Sequence, residues 1–150
     1  MRPHANTPES TDRVVATRYR VLYADTDNMG IVNNMHYFRY FEQGRGEYLR
    51  DLGCSYATIE ERGIRTPITE SQARYLHPFR YDDLIRIETW MPQLKKASFA
   101  FDYRLFKEGD DTLMVAGRTV HAALNLENKV VKIPDWLIAL LDPKPAKARR

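Results

Sequence analysis

The sequence is nearly without cysteine. Cys54 is the single thiol in 150 residues, which excludes an intrachain disulfide and any cysteine-built metal cage. It follows a helical stretch, has no evident activating partner, and reads as a bystander. Histidine is sparse too. His36, His77 and His121 are scattered without metal-ligand spacing, so they read as packing or surface residues and no metal is expected. No window approaches the roughly 20 apolar residues of a membrane span, and residues 1–13 lack the apolar stretch of a secretory signal. The expectation is a cytoplasmic protein with no membrane partner.

Charge of one sign is scarce outside one short segment. The net charge is +3 and the pI about 9.0, values that would raise nucleic acid as a partner if the cations formed a patch. Lys144, Lys147, Arg149 and Arg150 supply four of them at the very end. With those set aside, residues 1–142 carry a net charge of −1, so no nucleic-acid partner is expected and residues 143–150 read as a basic flexible tail.

What is present fits one compact domain. Residues 1–13, with two prolines and no apolar periodicity, read as a flexible leader to a domain at 14–142. Alternation over Val14 to Tyr23 predicts a strand. Phe38, Phe41, Arg45, Tyr48 or Leu49, and Leu52 recur at helical spacing, predicting an amphipathic helix from about Asn34 to Leu52, closed by Gly53 and capped by Asn33 or Asn34. Gly44 and Gly46 inside it predict close approach of another backbone. Strands follow at Ile68 to Leu76, Leu84 to Trp90, around Phe99 to Leu105, and Leu113 to Leu126. A short helix closes the domain at Pro134 to Leu141. One strand, a long helix and an antiparallel meander make an α+β protein with the helix buried against the sheet.

The chemistry concentrates where the first strand hands over to the helix. Asp25 and Asp27 stand just before Gly30 and the helix start. Free amides and the partial positive charge of a helix N-terminus can stabilise an oxyanion while a nearby carboxylate attacks or activates water. Two aspartates placed there equally fit a capped turn.

The run Asp25-Thr26-Asp27-Asn28-Met29-Gly30-Ile31-Val32 resembles the Asp-x-Asp-x-x-Gly-x-Val hallmark of the 4-hydroxybenzoyl-CoA thioesterase family. So do Asn33-Asn34, Tyr37, Tyr40-Phe41-Glu42 and Arg45, and further on Tyr81-Asp82-Asp83-Leu84 and Lys95-Lys96-Ala97-Ser98-Phe99. The likeness spans roughly Arg18 to Leu141. It implies a hotdog fold and hydrolysis of acyl-CoA, with CoA part of the substrate and no separate cofactor. Asp27 takes the catalytic position, as nucleophile or general base, and the Asn34 amide meets the thioester oxygen, with Gly30 allowing close approach. Some relatives carry histidine where this chain has Asn34, so a mechanism needing that imidazole is not available here. Asp25 corresponds to a residue that orders the loop and Glu42 to a helical position used by remote thioesterases, or else to a partner of Arg45. Substrate contacts are implied for Asn33, Tyr37, Lys95, Lys96 and Ser98, the lysines toward the CoA phosphates. A homodimer or homotetramer is implied as well. A hotdog hydratase or dehydratase using His36 and Glu42, and a non-catalytic acyl-CoA binding module, are the alternatives.

Overall fold

The computed structural model describes residues 7–142; the basic tail at 143–150 and the first six residues of the leader lie outside them. The elements are β1 (Val15–Arg20), α1 (His36–Asp51), α2 (Tyr56–Glu61), β2 (Ile68–Tyr75), β3 (Leu84–Leu94), β4 (Ser98–Lys107), β5 (Leu113–Ala122) and α3 (Asp135–Leu141). The strands form one antiparallel sheet in the order β1-β3-β4-β5-β2. This is the α+β arrangement that the alternation of apolar residues predicts.

The sheet packs on α1 through Tyr37, Tyr40, Phe41, Gly44, Arg45, Tyr48 and Leu49, all buried. Phe41 stacks on Tyr103 with ring centroids 4.4 Å apart, and Tyr48 meets Phe101 edge-on at 5.4 Å. Phe41, Arg45, Tyr48 and Leu49 of the expected stripe are buried, joined by Tyr37 and Tyr40, whereas Phe38 is 38% exposed. Gly44 does sit where contact is closest. A Cβ there would stand 2.9 Å from Ile87 Cγ2 and closer still to Thr89 Oγ1, both side chains of β3 rather than backbone. Gly46 has no such neighbour, only the flexible end of Arg50 at 3.3 Å.

Several boundaries differ from the periodicity. The first strand stops at Arg20 because Tyr23–Asp25 form a 3-10 turn. β3 runs beyond Trp90 to Leu94 through Pro92, with a register shift against β4 between Trp90 and Gln93. Proline is tolerated because β1 begins opposite Thr89, so this part of β3 has only β4 beside it. α2 was not anticipated. Ser55 caps it, its hydroxyl accepting the Thr58 amide at 3.2 Å. β2 lies at the sheet edge and is exposed along nearly its whole length.

Candidate active site

The loop from β1 to α1 is held by Asp25. Its carboxylate accepts the Tyr19 hydroxyl at 2.7 Å, the Leu22 amide at 3.1 Å and the Arg39 guanidinium at 2.5 Å. Its carbonyl takes the Asn33 amide at 2.9 Å. Burial works against this charge. The hydrogen bonds from Tyr19 and Leu22 and the charge of Arg39 outweigh it and hold the carboxyl below the ordinary aspartate value. Arg39 was not singled out in the sequence, where nothing marks it among the cations of α1.

Asp27 is placed differently. Oδ1 accepts the Met29 amide at 2.8 Å, while no donor among the described residues reaches Oδ2. The peptide around it is fixed: the Asp27 amide donates to the Ile31 carbonyl at 3.0 Å, and its carbonyl accepts from Gly30 at 2.9 Å. Gly30 has φ +80° and a Cβ there would meet nothing within 4 Å. It is required by left-handed backbone, not by crowding.

Two turns join this loop to the helix. The Asn33 side chain accepts the Met35 amide at 3.1 Å, and the His36 and Tyr37 amides donate to the Asn33 and Asn34 carbonyls at 3.0 and 3.3 Å. The Asn34 carbonyl is also reached by the Tyr75 hydroxyl at 3.4 Å. No acceptor among the described residues takes the Asn34 amide. Asn34 is an exposed residue just before Met35, the N-cap of a 16-residue helix, where the axial dipole favours negative charge.

A cleft of about 370 Å³ opens between this loop and the end of β2, lined by Asp27, Met29, Ile31, Val32, Asn34, Tyr37, Tyr75, Leu76, His77 and Pro78. Asp27, Asn34 and Tyr37 are thus brought together, with Gly30 and Asn33 shaping the loop. Tyr37 is 3% exposed; its hydroxyl accepts the Phe79 amide at 3.4 Å, and burial raises its pKa. His77 and Tyr75 were missed as cleft residues. Nothing local in the sequence says that the end of β2 folds over the Asp27 loop.

Other candidates lie elsewhere. Arg20, at the end of β1, pairs with Leu84, the first residue of β3, whereas Lys95 and Lys96 follow its last residue, Leu94. An 11-residue strand puts these ends roughly 30 Å apart. Ser98, opposite Ala122 at the start of β4, is at the far end as well. A single chain therefore does not bring Lys95, Lys96 or Ser98 to Asp27. Glu42 is outside the cleft and forms no ion pair with Arg45 within 4.0 Å among the described residues; both line a different cavity. His36 faces Arg39 at 3.3 Å. His121 is buried and its pKa is pushed down to about 4, chiefly by burial. No group of three or more potential metal ligands occurs among the described residues, and no helix among them is long and apolar enough to cross a membrane.

Residues 21–141 match the model of the thioesterase-like superfamily. The chain is similar to Acyl-CoA thioesterase YbgC of Haemophilus influenzae, 35% identical over 105 residues, covering 69% of this chain and 75% of that protein. It is similar to 1,4-dihydroxy-2-naphthoyl-CoA hydrolase of Thermosynechococcus vestitus, 33% identical over 130 residues and covering 85% and 88% of the two. Its fold superposes on a DHNA-CoA thioesterase from Staphylococcus aureus with a TM-score of 0.78 at 28% identity, over 84% of this chain and 87% of the other. With a five-stranded antiparallel sheet curled about α1 and a match running from the end of β1 to the end of α3, the chain belongs to the thioesterase-like superfamily and has its hotdog fold.

Proposed function

We propose that this protein hydrolyses acyl-CoA thioesters to a free acid and CoA in the cytoplasm, with Asp27 as the reacting carboxylate. The observation that carries this reading is the pairing, in one cleft, of a carboxylate oxygen without a donor and the unpaired Asn34 amide at a helix start. The thioester oxygen sits at that amide, where the negative charge of the tetrahedral intermediate is stabilised. Asp27 Oδ2 then attacks the carbonyl carbon and expels the CoA thiolate, and water cleaves the resulting mixed anhydride. In the other form, Asp27 takes a proton from the water that attacks. Asp25 holds the loop and does not meet substrate. No cofactor takes part.

The active assembly in this reading is a homodimer, or a homotetramer built from two. Antiparallel pairing of two exposed β2 edges about a two-fold axis would set the Asp27 loop of one subunit beside the Ile68 end of the other. Lys95, Lys96 and Ser98 are at that same end of the sheet, so the second subunit supplies the phosphate contacts that one chain cannot.

A hydratase is the second reading, favoured by one observation: His77 shares the cleft with Asp27. Thiol release from a panel of short, long and aryl acyl-CoAs, measured for the wild type and Asp27→Asn, separates the readings. Release that disappears in the variant supports hydrolysis. Addition of water to an enoyl-CoA without thiol release would replace it, and tight binding without turnover would leave a binding module.

A further inference from the structure

A second cavity, of about 510 Å³, lies at the Ile68 end of β2, lined by Arg45 of α1, Tyr56 of α2 and His121 of β5 among others. Arg45 is 8% exposed. No carboxylate stands within 4.0 Å of its guanidinium among the described residues, and its hydrogen bond to the Tyr103 hydroxyl is long, at 3.5 Å. The Tyr56 hydroxyl is buried there without a partner, close enough to feel the Arg45 charge.

The neighbouring side chains form a chain of hydrogen bonds running to the Thr66 carbonyl, which leaves few acceptors for these donors. The Thr66 carbonyl only accepts, so His121 Nδ1 donates to it at 3.1 Å and Nε2 is left to accept. Thr119 therefore donates to Nε2 at 2.9 Å, and its oxygen accepts from the Tyr103 hydroxyl at 2.7 Å. The oxygens left near Arg45 are the phenol oxygens of Tyr103 and Tyr56. His121 is neutral in this arrangement and brings no charge. At the mouth, Glu42 and Glu60 are exposed, and Arg65 donates to Asn128 at 3.0 Å. The interior thus holds one buried cation, which the charge of Glu42 at the mouth favours without an ion pair, and a phenol with no hydrogen-bond partner among the described residues, so that a closer anion would be met by both.

We propose that this cavity binds the carboxylate of a small organic acid, the Arg45 fork taking its oxygens and the Tyr56 hydroxyl donating to one of them. Carboxylate geometry matches a guanidinium bidentately, and Ile68 and Leu124 offer apolar surface to the rest of the ligand. The carboxylate has two possible sources: the far end of an acyl group, or a free acid such as a hydrolysis product. Binding is measured without turnover, so its failure leaves the role of Asp27 untouched.

The test is calorimetric titration of the full chain with benzoate, glutarate and the neutral isostere benzamide, for the wild type, Arg45→Met, Arg45→Lys and Tyr56→Phe. Benzoate or glutarate is expected to bind the wild type at least about tenfold more tightly than benzamide, the weight of a charged hydrogen-bonded pair. Arg45→Met is expected to weaken binding by about tenfold or more and Tyr56→Phe by about threefold to tenfold. Should Arg45→Met fail to fold, Arg45→Lys, which keeps the charge and loses the fork, and the isosteric Tyr56→Phe carry the test. Competitive inhibition of acyl-CoA hydrolysis by benzoate that the Arg45 variants remove assigns the carboxylate to the acyl end; binding without competition assigns it to a free acid. Equal affinity for benzoate and benzamide, no binding of either acid at millimolar concentration, or variants that bind as the wild type does, would overturn the proposal.

Discussion

Acidification from pH 7 to pH 4 is expected to destabilise the fold by about 3 kcal/mol through one side chain, His121. This imidazole is 1% exposed and bonded in its neutral form, donating to Thr66 and accepting from Thr119. Burial, opposed by the Thr66 bond and reinforced by the charge of Arg45, brings its pKa from 6.5 down to about 4. The unfolded chain binds this proton near pH 6.5 and the folded chain only near pH 4. The contribution is therefore complete above about pH 6.5 and is lost as pH falls from there toward 4. A displacement of roughly two and a half pKa units at 1.36 kcal/mol each gives the figure, a large share of the 5–15 kcal/mol by which domains are stable. The measurement is urea unfolding at pH 7 and pH 4 for the wild type and for His121→Asn, whose amide can keep the bond to Thr66 but does not titrate in this range. Carboxylates affect both proteins alike, so the difference between them isolates the imidazole. The wild type is expected to lose about 3 kcal/mol more than the variant over this interval; parallel losses would refute the buried neutral histidine.

Asp27→Asn is expected to lower kcat by at least about 10²-fold with the fold retained. Asp25→Asn, which breaks the ion pair of a buried carboxylate with the half-exposed Arg39, is expected to affect rate less and to lower the unfolding temperature; steady-state hydrolysis and thermal melts of both variants check the pair, and a reversed pattern would exchange their roles. Removing Lys95 and Lys96 together is expected to raise KM for acyl-CoA more than it lowers kcat, with the effect shrinking on the pantetheine thioester; equal losses on both substrates would make the pair structural. Gly44→Ala, which drives a methyl group into Thr89 and Ile87, is expected to cost about 1–3 kcal/mol. Gly46→Ala, with only the Arg50 tip nearby, is expected to be neutral or stabilising by up to about 1 kcal/mol, and chemical denaturation of the two separates close packing from helix propensity.

The strands were legible where apolar residues alternate with polar or small ones in the sequence, even in β4, where both faces are largely buried. Along β4 the alternation from Ser98 to Leu105 matched the observed element, whereas Pro92 hid the end of β3 because local propensity cannot tell that β1 has already left its side. In α1, period, length and most of the buried face were legible, but its N-terminal edge was not. Phe38 and Phe41 are alike in sequence, and only the sheet's curvature decides that Phe41 stacks on Tyr103 while Phe38 stays 38% exposed.

By itself the sequence determined an α+β chain with a carboxylate-rich loop leading into its long helix, since those features depend on residue type and short spacing. It could also point to Asp27, Gly30 and Asn34, which lie within eight residues of one another. Tertiary structure alone decided that Asp25 is consumed by Tyr19 and Arg39 while Asp27 keeps a free oxygen, and that His77 joins the cleft. It also decided that Lys95 and Lys96 stand at the opposite end of the sheet, and that Arg45 is buried with no ion pair within 4.0 Å among the described residues. The physical reason is the same in each case. A side chain's partners and its exposure are set by segments that meet only when the sheet closes over α1, and those contacts leave no periodic signature along the chain.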